Sequence, residues 1–198
     1  ILITGGAGFI GSHLIDNLIS KKKIKKIIVL DNIKDGSLKN LKNSLKSKKF
    51  SFFKSDIRNY KKIEKYFKKV DVVFHLAALS DVVPSIEEPL EYLDTNIMGT
   101  VNLLEACKRV KSIKSIVIVT SDKCYENLET GQKYNENDKL GGLDPYSSSK
   151  ACAELITQSY NDSILSKLNI SCVTVRAGNV IGGGDFALNR IIPDFFRA

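Results

Sequence analysis

Six short apolar runs recur along the chain, each followed by a longer polar-apolar stretch. They are Ile1-Leu2-Ile3-Thr4, Ile27-Ile28-Val29-Leu30, Phe50-Ser51-Phe52-Phe53-Lys54, Val70 to His75, Ser115-Ile116-Val117-Ile118-Val119-Thr120 and Ile170 to Val175. Their length and their β-branched or aromatic residues predict buried strands. Between them the apolar positions shift to helical spacing. Ser12 to Ile19 reads as a helix, and Tyr60 to Lys69 as another with Ile63, Tyr66 and Phe67 on one face. Pro89 suits the first turn of a third, whose expected apolar stripe is Leu93, Ile97, Val101 and Leu104. Tyr146 to Lys167 is a fourth. Regular alternation of strand and helix predicts an α/β fold with a doubly wound parallel sheet, and ligands at the strands' C-terminal ends.

The first of those ends is unusual. Gly5-Gly6-Ala7-Gly8-Phe9-Ile10-Gly11 follows the first strand directly, with glycines at 5, 8 and 11. Absent Cβ atoms there allow a tight turn, close approach of backbone N–H groups to a pyrophosphate, and close packing of helix on strand. The helix that follows turns its positive end toward the phosphates. The second strand runs into Asp31, twenty residues beyond Gly11. A carboxylate there accepts from ribose hydroxyls and repels a 2′-phosphate, so the pattern predicts a Rossmann domain that takes NAD in preference to NADP.

Tyr146-Ser147-Ser148-Ser149-Lys150 places a phenol and an ammonium four residues apart. On a helix they share one face, and a nearby cation lowers a tyrosine pKa from its usual value of about 10. Tyr146 is thereby a candidate general base. Ser121-Asp122-Lys123 closes the fifth strand; alone it is an ordinary strand-ending turn, but beside a YxxxK pair it is candidate chemistry.

Composition narrows the partners. With 198 residues and 43% hydrophobic content the chain can bury one substantial core. Its +8 charge lies in lysine clusters at 21–23, 46–49 and 61–69, without an aromatic platform or recognition helix, so nucleic acid is not an expected partner. No apolar segment is long enough to predict a membrane span, and no signal-peptide pattern is visible. Cys107, Cys124, Cys152 and Cys172 form no CxxC pair, and His13 and His75 are the only histidines, so neither zinc nor a disulfide framework is expected. Cys124 reads as a small apolar filler, and a reducing cytoplasm as the compartment.

GGAGFIG, His75-Leu76-Ala77-Ala78, Ser121, Tyr146 and Lys150 together resemble, in order and over essentially the whole chain, the extended short-chain dehydrogenase/reductases that act on nucleotide sugars. Thr120 to Asn127, Leu140 to Tyr146 and Arg176 to Asp185 resemble the CDP-glucose 4,6-dehydratases within that family. dTDP-glucose dehydratases carry Asp-Glu where this chain has Asp122-Lys123, and epimerases usually lack the pair. The glycine loop, by contrast, reads as in epimerases, where the CDP-glucose enzymes tend to read GHTGFKG.

The resemblance implies roles. Tyr146 takes the C4 hydroxyl proton of a nucleotide-diphosphate hexose, supported by Ser121 and Lys150; Asp122, protonated, is the acid at the C6 hydroxyl; Lys123, neutral through burial, is the base at C5. Gly5, Gly8, Phe9, Ile10 and Gly11 would meet the pyrophosphate of NAD, Asp31 and Asn32 the ribose, and Asp56 and Ile57 the adenine. Leu76, Ala77, Ala78 and Thr95 would line the remaining cofactor path, together with Tyr146 and Lys150. Ser80, Ser121, Asn179 and Arg190 match substrate-contacting positions. A homodimer through the helices at 89–109 and 146–167 is likewise implied.

The chain opens inside its first strand and stops shortly after Pro193. Residues 1–178 are therefore expected to form the NAD-binding domain, and 179–198 the start of a smaller substrate lobe that is largely absent. Three activities remain open: a 4,6-dehydratase of the CDP-glucose kind, a 4-epimerase, and an NAD-binding module without catalysis. Asp122-Lys123 favours the first.

Overall fold

A computed structural model describes residues 1–129, 131, 133–187 and 190–198. Its framework is a six-stranded, wholly parallel sheet in the order β3-β2-β1-β4-β5-β6. The strands are β1 (Leu2–Thr4), β2 (Ile27–Asp31), β3 (Phe50–Lys54), β4 (Val72–His75), β5 (Ser115–Val119) and β6 (Ser171–Val175). All six lie on the expected runs. The order reverses between β1 and β4, which leaves a crevice at their C-terminal ends where loops diverge to opposite faces.

Side chains alternate across the sheet, and each face has its own core. Leu2 and Leu30 join Ile63, Phe67, Val73, Leu103, Leu104, Ile116 and Ile118 on one side, whereas Ile3, Ile27 and Val29 pack with Ile15 and Leu41 on the other. The second cluster is covered by α1 (Phe9–Ile19), which begins three residues earlier than the apolar period suggests because Gly8 takes its N-cap.

The first cluster is covered by α2 (Tyr60–Ile63) with its 3₁₀ continuation Glu64–Phe67, and by two long helical rods. One rod comprises α4 (Pro89–Leu93), a single π-helical turn (Asp94–Met98) and α5 (Gly99–Lys108); short α3 (Val82–Glu87) precedes it. The other is α6 (Pro145–Tyr160), extended by a π turn and a 3₁₀ turn to Leu168. The buried face of the first rod differs from the expected stripe. Leu104 is buried, but Leu93, Ile97 and Val101 are only partly covered; Tyr92, Thr95, Asn96, Gly99, Thr100, Leu103 and Cys107 face inward. Asn96 and Thr100 on that face are satisfied by hydrogen bonds, so hydrophobic spacing alone misplaces it. After β6 the chain continues to α7 (Ile191–Arg197), whose Ile191, Phe195 and Phe196 are exposed. Among the described residues no helix is long and apolar enough to cross a membrane.

Candidate active site

The glycine loop forms a cradle at the end of β1. Gly5 has φ +70°, and a Cβ on it would meet the Ala77 backbone nitrogen at 2.5 Å, so the loop lies directly against the chain leaving β4. A Cβ on Gly11 would stand 2.3 Å from the Gly5 carbonyl oxygen. Gly8 caps α1 without a side-chain hydrogen bond, and the first turn holds no acidic residue. The helix end is thus open to an anion approached by backbone, as a pyrophosphate requires. The residues present fit a dinucleotide.

Asp31 closes one side of the cradle. Its carboxylate accepts from Ala7 N at 2.9 Å and Ile33 N at 2.8 Å, which ties β2's end to the loop. Burial raises its pKa against those two bonds. Asn32 reaches Asp56 through a long 3.4 Å bond, and Asp56 is gripped by Arg58, Nε to Oδ1 at 3.0 Å and Nη2 to Oδ2 at 2.6 Å. Those Arg58 bonds hold the Asp56 carboxyl below its usual range. Buried Ile57 is pinned by Asn102, which donates to its carbonyl at 3.0 Å. Arg58 and Asn102 were not singled out from sequence, since nothing local marks them.

Beyond β4, Leu76, Ala77 and Ala78 are half-buried and Thr95 is buried, all along the crevice. His75 organises this wall. Thr100 spends its hydroxyl proton on the Asn96 carbonyl at 2.7 Å, so His75 Nε2 donates to Thr100 at 3.2 Å and Nδ1 accepts from Thr4 at 2.6 Å. Burial, with Lys150 adding to it, pushes the His75 pKa down to about 3, so the ring is a neutral strut. Asn96 continues the network to Leu79, through N at 2.9 Å and O at 3.0 Å, and to Ser149 Oγ at 2.8 Å.

The α6 helix starts at Asp144, whose side chain accepts from Ser147 N, with Pro145 at the first position. This start presents Tyr146 and Lys150 toward the end of β5. Both are buried, at 7% and 6% exposure. Lys150 donates to the Val119 carbonyl at 3.3 Å, and burial lowers its pKa to about 8 against the opposing charge of Glu154. Tyr146 departs from expectation. Its pKa is raised, because burial outweighs the Ser121 hydrogen bond and the attraction of Arg190; Asp122 and Asp81 push the same way as burial. The ammonium four residues on does not by itself produce a phenolate. A buried phenol needs a further cation in the crevice to ionise.

Ser121 caps the turn Asp122–Cys124, accepting from Lys123 N at 3.2 Å and donating to Asp122 Oδ1 at 3.1 Å. Asp122 N donates to the Ala177 carbonyl at 3.0 Å, and Gly178 lies against the same carboxylate. Lys123 is exposed in this chain, so the burial invoked to make it a neutral base is not met by these residues. Ser80 and Asn179 are also exposed; Arg190 donates to Ser80 Oγ at 3.3 Å and lies 3.6 Å from Asp81. Arg190 is therefore drawn to the crevice mouth. The structure thus gathers buried Ser121, Tyr146 and Lys150 into one place beside the cradle, with exposed Asp122 and Lys123 at its rim.

A six-stranded parallel sheet with a glycine cradle at its switch point, and Ser121, Tyr146 and Lys150 at the neighbouring strand ends, defines an extended short-chain dehydrogenase/reductase. The family described as GDP-mannose 4,6 dehydratase matches residues 2–192, and the chain belongs to it. It is 42% identical over 207 residues to a CDP-glucose 4,6-dehydratase of Salmonella typhimurium, covering 100% of this chain and 56% of that protein. Among solved structures, a dTDP-glucose 4,6-dehydratase from Streptomyces venezuelae with NAD and TYD bound superposes with TM-score 0.90 at 29% identity, over 99% of this chain and 60% of the other. A UDP-N-acetylglucosamine 4-epimerase from Methanobrevibacter ruminantium superposes at 0.86 with 34% identity, over 100% and 61%. The chain spans little more than half the length of such relatives.

Proposed function

We propose that this chain is the NAD-binding and catalytic part of a nucleotide-sugar 4,6-dehydratase that acts on a CDP-glucose-like substrate. The observation that carries the reading is the Asp122–Lys123 turn, joined through Ser121 to the crevice that holds Tyr146 and Lys150. The cradle of Gly5, Gly8, Phe9, Ile10 and Gly11 would hold the NAD pyrophosphate, with Asp31 and Asn32 at the ribose and Asp56 and Ile57 at the adenine. NAD supplies the acceptor, and later the donor, of the hydride at the sugar.

The chain's own groups move the protons. Tyr146 takes the C4 hydroxyl proton, while Ser121 and Lys150 hold oxygen and phenol in register. The 4-keto group then acidifies C5–H, Lys123 removes that proton, and Asp122 gives one to the departing C6 hydroxyl. Lys123 returns its proton to C5. The cycle leaves Tyr146 protonated and Asp122 ionised, so one proton passes between them or through solvent before the next turnover. Ser80, Asn179 and Arg190 serve the substrate side, and residues 179–198 begin its lobe.

The test uses full-length protein with CDP-, dTDP- and UDP-glucose, followed by the alkaline absorbance of a 4-keto-6-deoxy sugar. CDP-glucose is expected to give the strongest signal, and in D₂O the Lys123→Met variant is expected to lose deuterium incorporation at C5. C4 epimer without the deoxy product makes the protein an epimerase; no conversion makes it a binding module.

A homodimer through the helices at 89–109 and 146–167 belongs to the same proposal, supported by exposed Leu90, Met98 and Leu155 on those rods. Light scattering on full-length protein is expected to give twice the chain mass; a monomer rejects it. A cytoplasmic location fits a chain with four free cysteines, two of them half-buried rather than fully enclosed.

A further inference from the structure

Glu154 is a buried charge that the reaction does not use. It lies on α6 one turn beyond Lys150, only 4% exposed. Three side chains donate to it: Thr120 Oγ1, Thr174 Oγ1 at 2.8 Å and Arg176 Nη2 at 2.9 Å. Burial raises its pKa, but the bonds from Arg176, Thr120 and Thr174 prevail and hold the carboxyl below its usual range.

Those donors come from places that matter. Thr120 is the residue before Ser121. Arg176 follows β6 and turns its other nitrogen, Nη1, to Tyr125 OH at 3.0 Å and to the Glu136 carbonyl at 3.0 Å, while its guanidinium lies 4.9 Å above the Tyr125 ring. Tyr125 in turn stacks on Tyr134 at 4.7 Å and pairs with Leu140 in an isolated antiparallel bridge. The segment 120–125, which carries Ser121, Asp122 and Lys123, is thus tied at both ends to one carboxylate. That carboxylate stands on the helix of Tyr146 and Lys150.

We propose that Glu154 and Arg176 are positioning residues that set the Asp122–Lys123 turn against the helix of Tyr146 and Lys150. As stabilisers they would be a poor choice, because well-packed apolar residues of similar volume often do as well as a buried ion pair. What the pair supplies is direction: a planar guanidinium with two faces of donors fixes the turn to a given height on α6. Oxidation at C4 needs only the helix and Ser121. Elimination across C5–C6 needs the turn at the correct distance as well, so the clamp acts on the second step.

The inference rests on the dehydratase reading, and the two fail separately. In full-length Arg176→Lys the charge opposite Glu154, and hence the surroundings of Lys150, is kept, while the fork to Tyr125 and Glu136 is lost. Single turnovers with CDP-glucose are quenched with borodeuteride, which places deuterium at C4 of any 4-keto sugar; mass spectrometry then separates 6-hydroxy from 6-deoxy forms. Wild type is expected to give labelled 6-deoxy sugar. The variant is expected to accumulate the labelled 6-hydroxy form, its elimination slowed on the order of 10²-fold, since a misplacement of about 1 Å costs that much. Tyr125→Phe, which keeps the ring and loses the hydroxyl, is expected to shift the ratio the same way by less, and serves if Arg176→Lys does not fold. Equal loss in both steps, or an unchanged ratio, overturns the clamp. If wild type yields no 6-deoxy sugar, the dehydratase reading falls. Amide exchange then decides the clamp: faster exchange over 121–126 with α6 unchanged supports it, and unchanged protection overturns it.

Discussion

Lys150→Met is expected to slow turnover of the full-length protein by about 10²–10⁴-fold and, near neutral pH, to make the fold more stable. Lys150 sits at 6% exposure with a backbone carbonyl as hydrogen-bond partner, and burial lowers its pKa from 10.5 to about 8. The folded state therefore disfavours the charged amine. The penalty is full below about pH 8, shrinks as pH rises, and vanishes above the unfolded value near 10.5. Each pKa unit corresponds to about 1.4 kcal/mol, so removing the charge is expected to stabilise by on the order of 1–3 kcal/mol at pH 7. Methionine is a flexible, unbranched side chain without a charge.

The loss of activity comes from the same site. Tyr146 keeps a pKa raised by burial in either protein, and what the variant lacks is the donor proposed to hold phenol and cofactor in register. General-base catalysis contributes about 10²–10⁴-fold, and that factor is what the variant should lose. Urea unfolding of wild type and variant from pH 7 to 10.5 tests the stability half. Tyr146, Cys107, Cys124 and Cys172 also titrate above neutrality, so the difference between the two proteins is the informative quantity. A variant less stable at pH 7, or a gap that does not close with rising pH, would refute the argument.

Gly11→Ala should weaken NAD binding by ten- to a hundredfold. Its new Cβ would lie 2.3 Å from the Gly5 carbonyl and 2.7 Å from Gly6 Cα, both backbone atoms that no rotamer change can move. Overpacking of this kind costs about 1–3 kcal/mol, and 1.4 kcal/mol is tenfold in affinity. The loop has to open, and its N–H groups then leave the positions a pyrophosphate needs. Gly183→Ala is the control, because a Cβ there meets nothing within 4 Å. Calorimetric titration with NAD compares them. Equal affinity for both variants would mean the loop does not cradle the dinucleotide.

How readily each feature could be read from sequence follows the range of the forces involved. The strands at 2–4, 27–31, 50–54, 72–75, 115–119 and 171–175 were legible because burial of alternating apolar residues is a local pattern. The glycine loop was legible because the absence of a Cβ is a property of single residues. Asp31 was found by counting from Gly11. The helix face at 92–107 was not, since Asn96 and Thr100 are buried through partners as distant in sequence as Ser149 and His75. Glu154 stood at plain helical spacing from Lys150, yet its role depends on Arg176 and Thr120, brought together only by the pairing of β5 with β6.

The order of elements, the cradle at β1 and the presence of Tyr146, Lys150 and the Asp122–Lys123 pair are written in the chain, because steric freedom and hydrophobic period act over a few residues. Their charge states are not. Tyr146 is raised and Lys150 lowered by desolvation, which depends on how many atoms from every other element exclude water from them. The segment before and after Asp122 is tied to α6 through a carboxylate and a guanidinium 22 residues apart in the sequence. The order of residues names the candidate groups; only packing sets how strongly each holds its proton and what it faces.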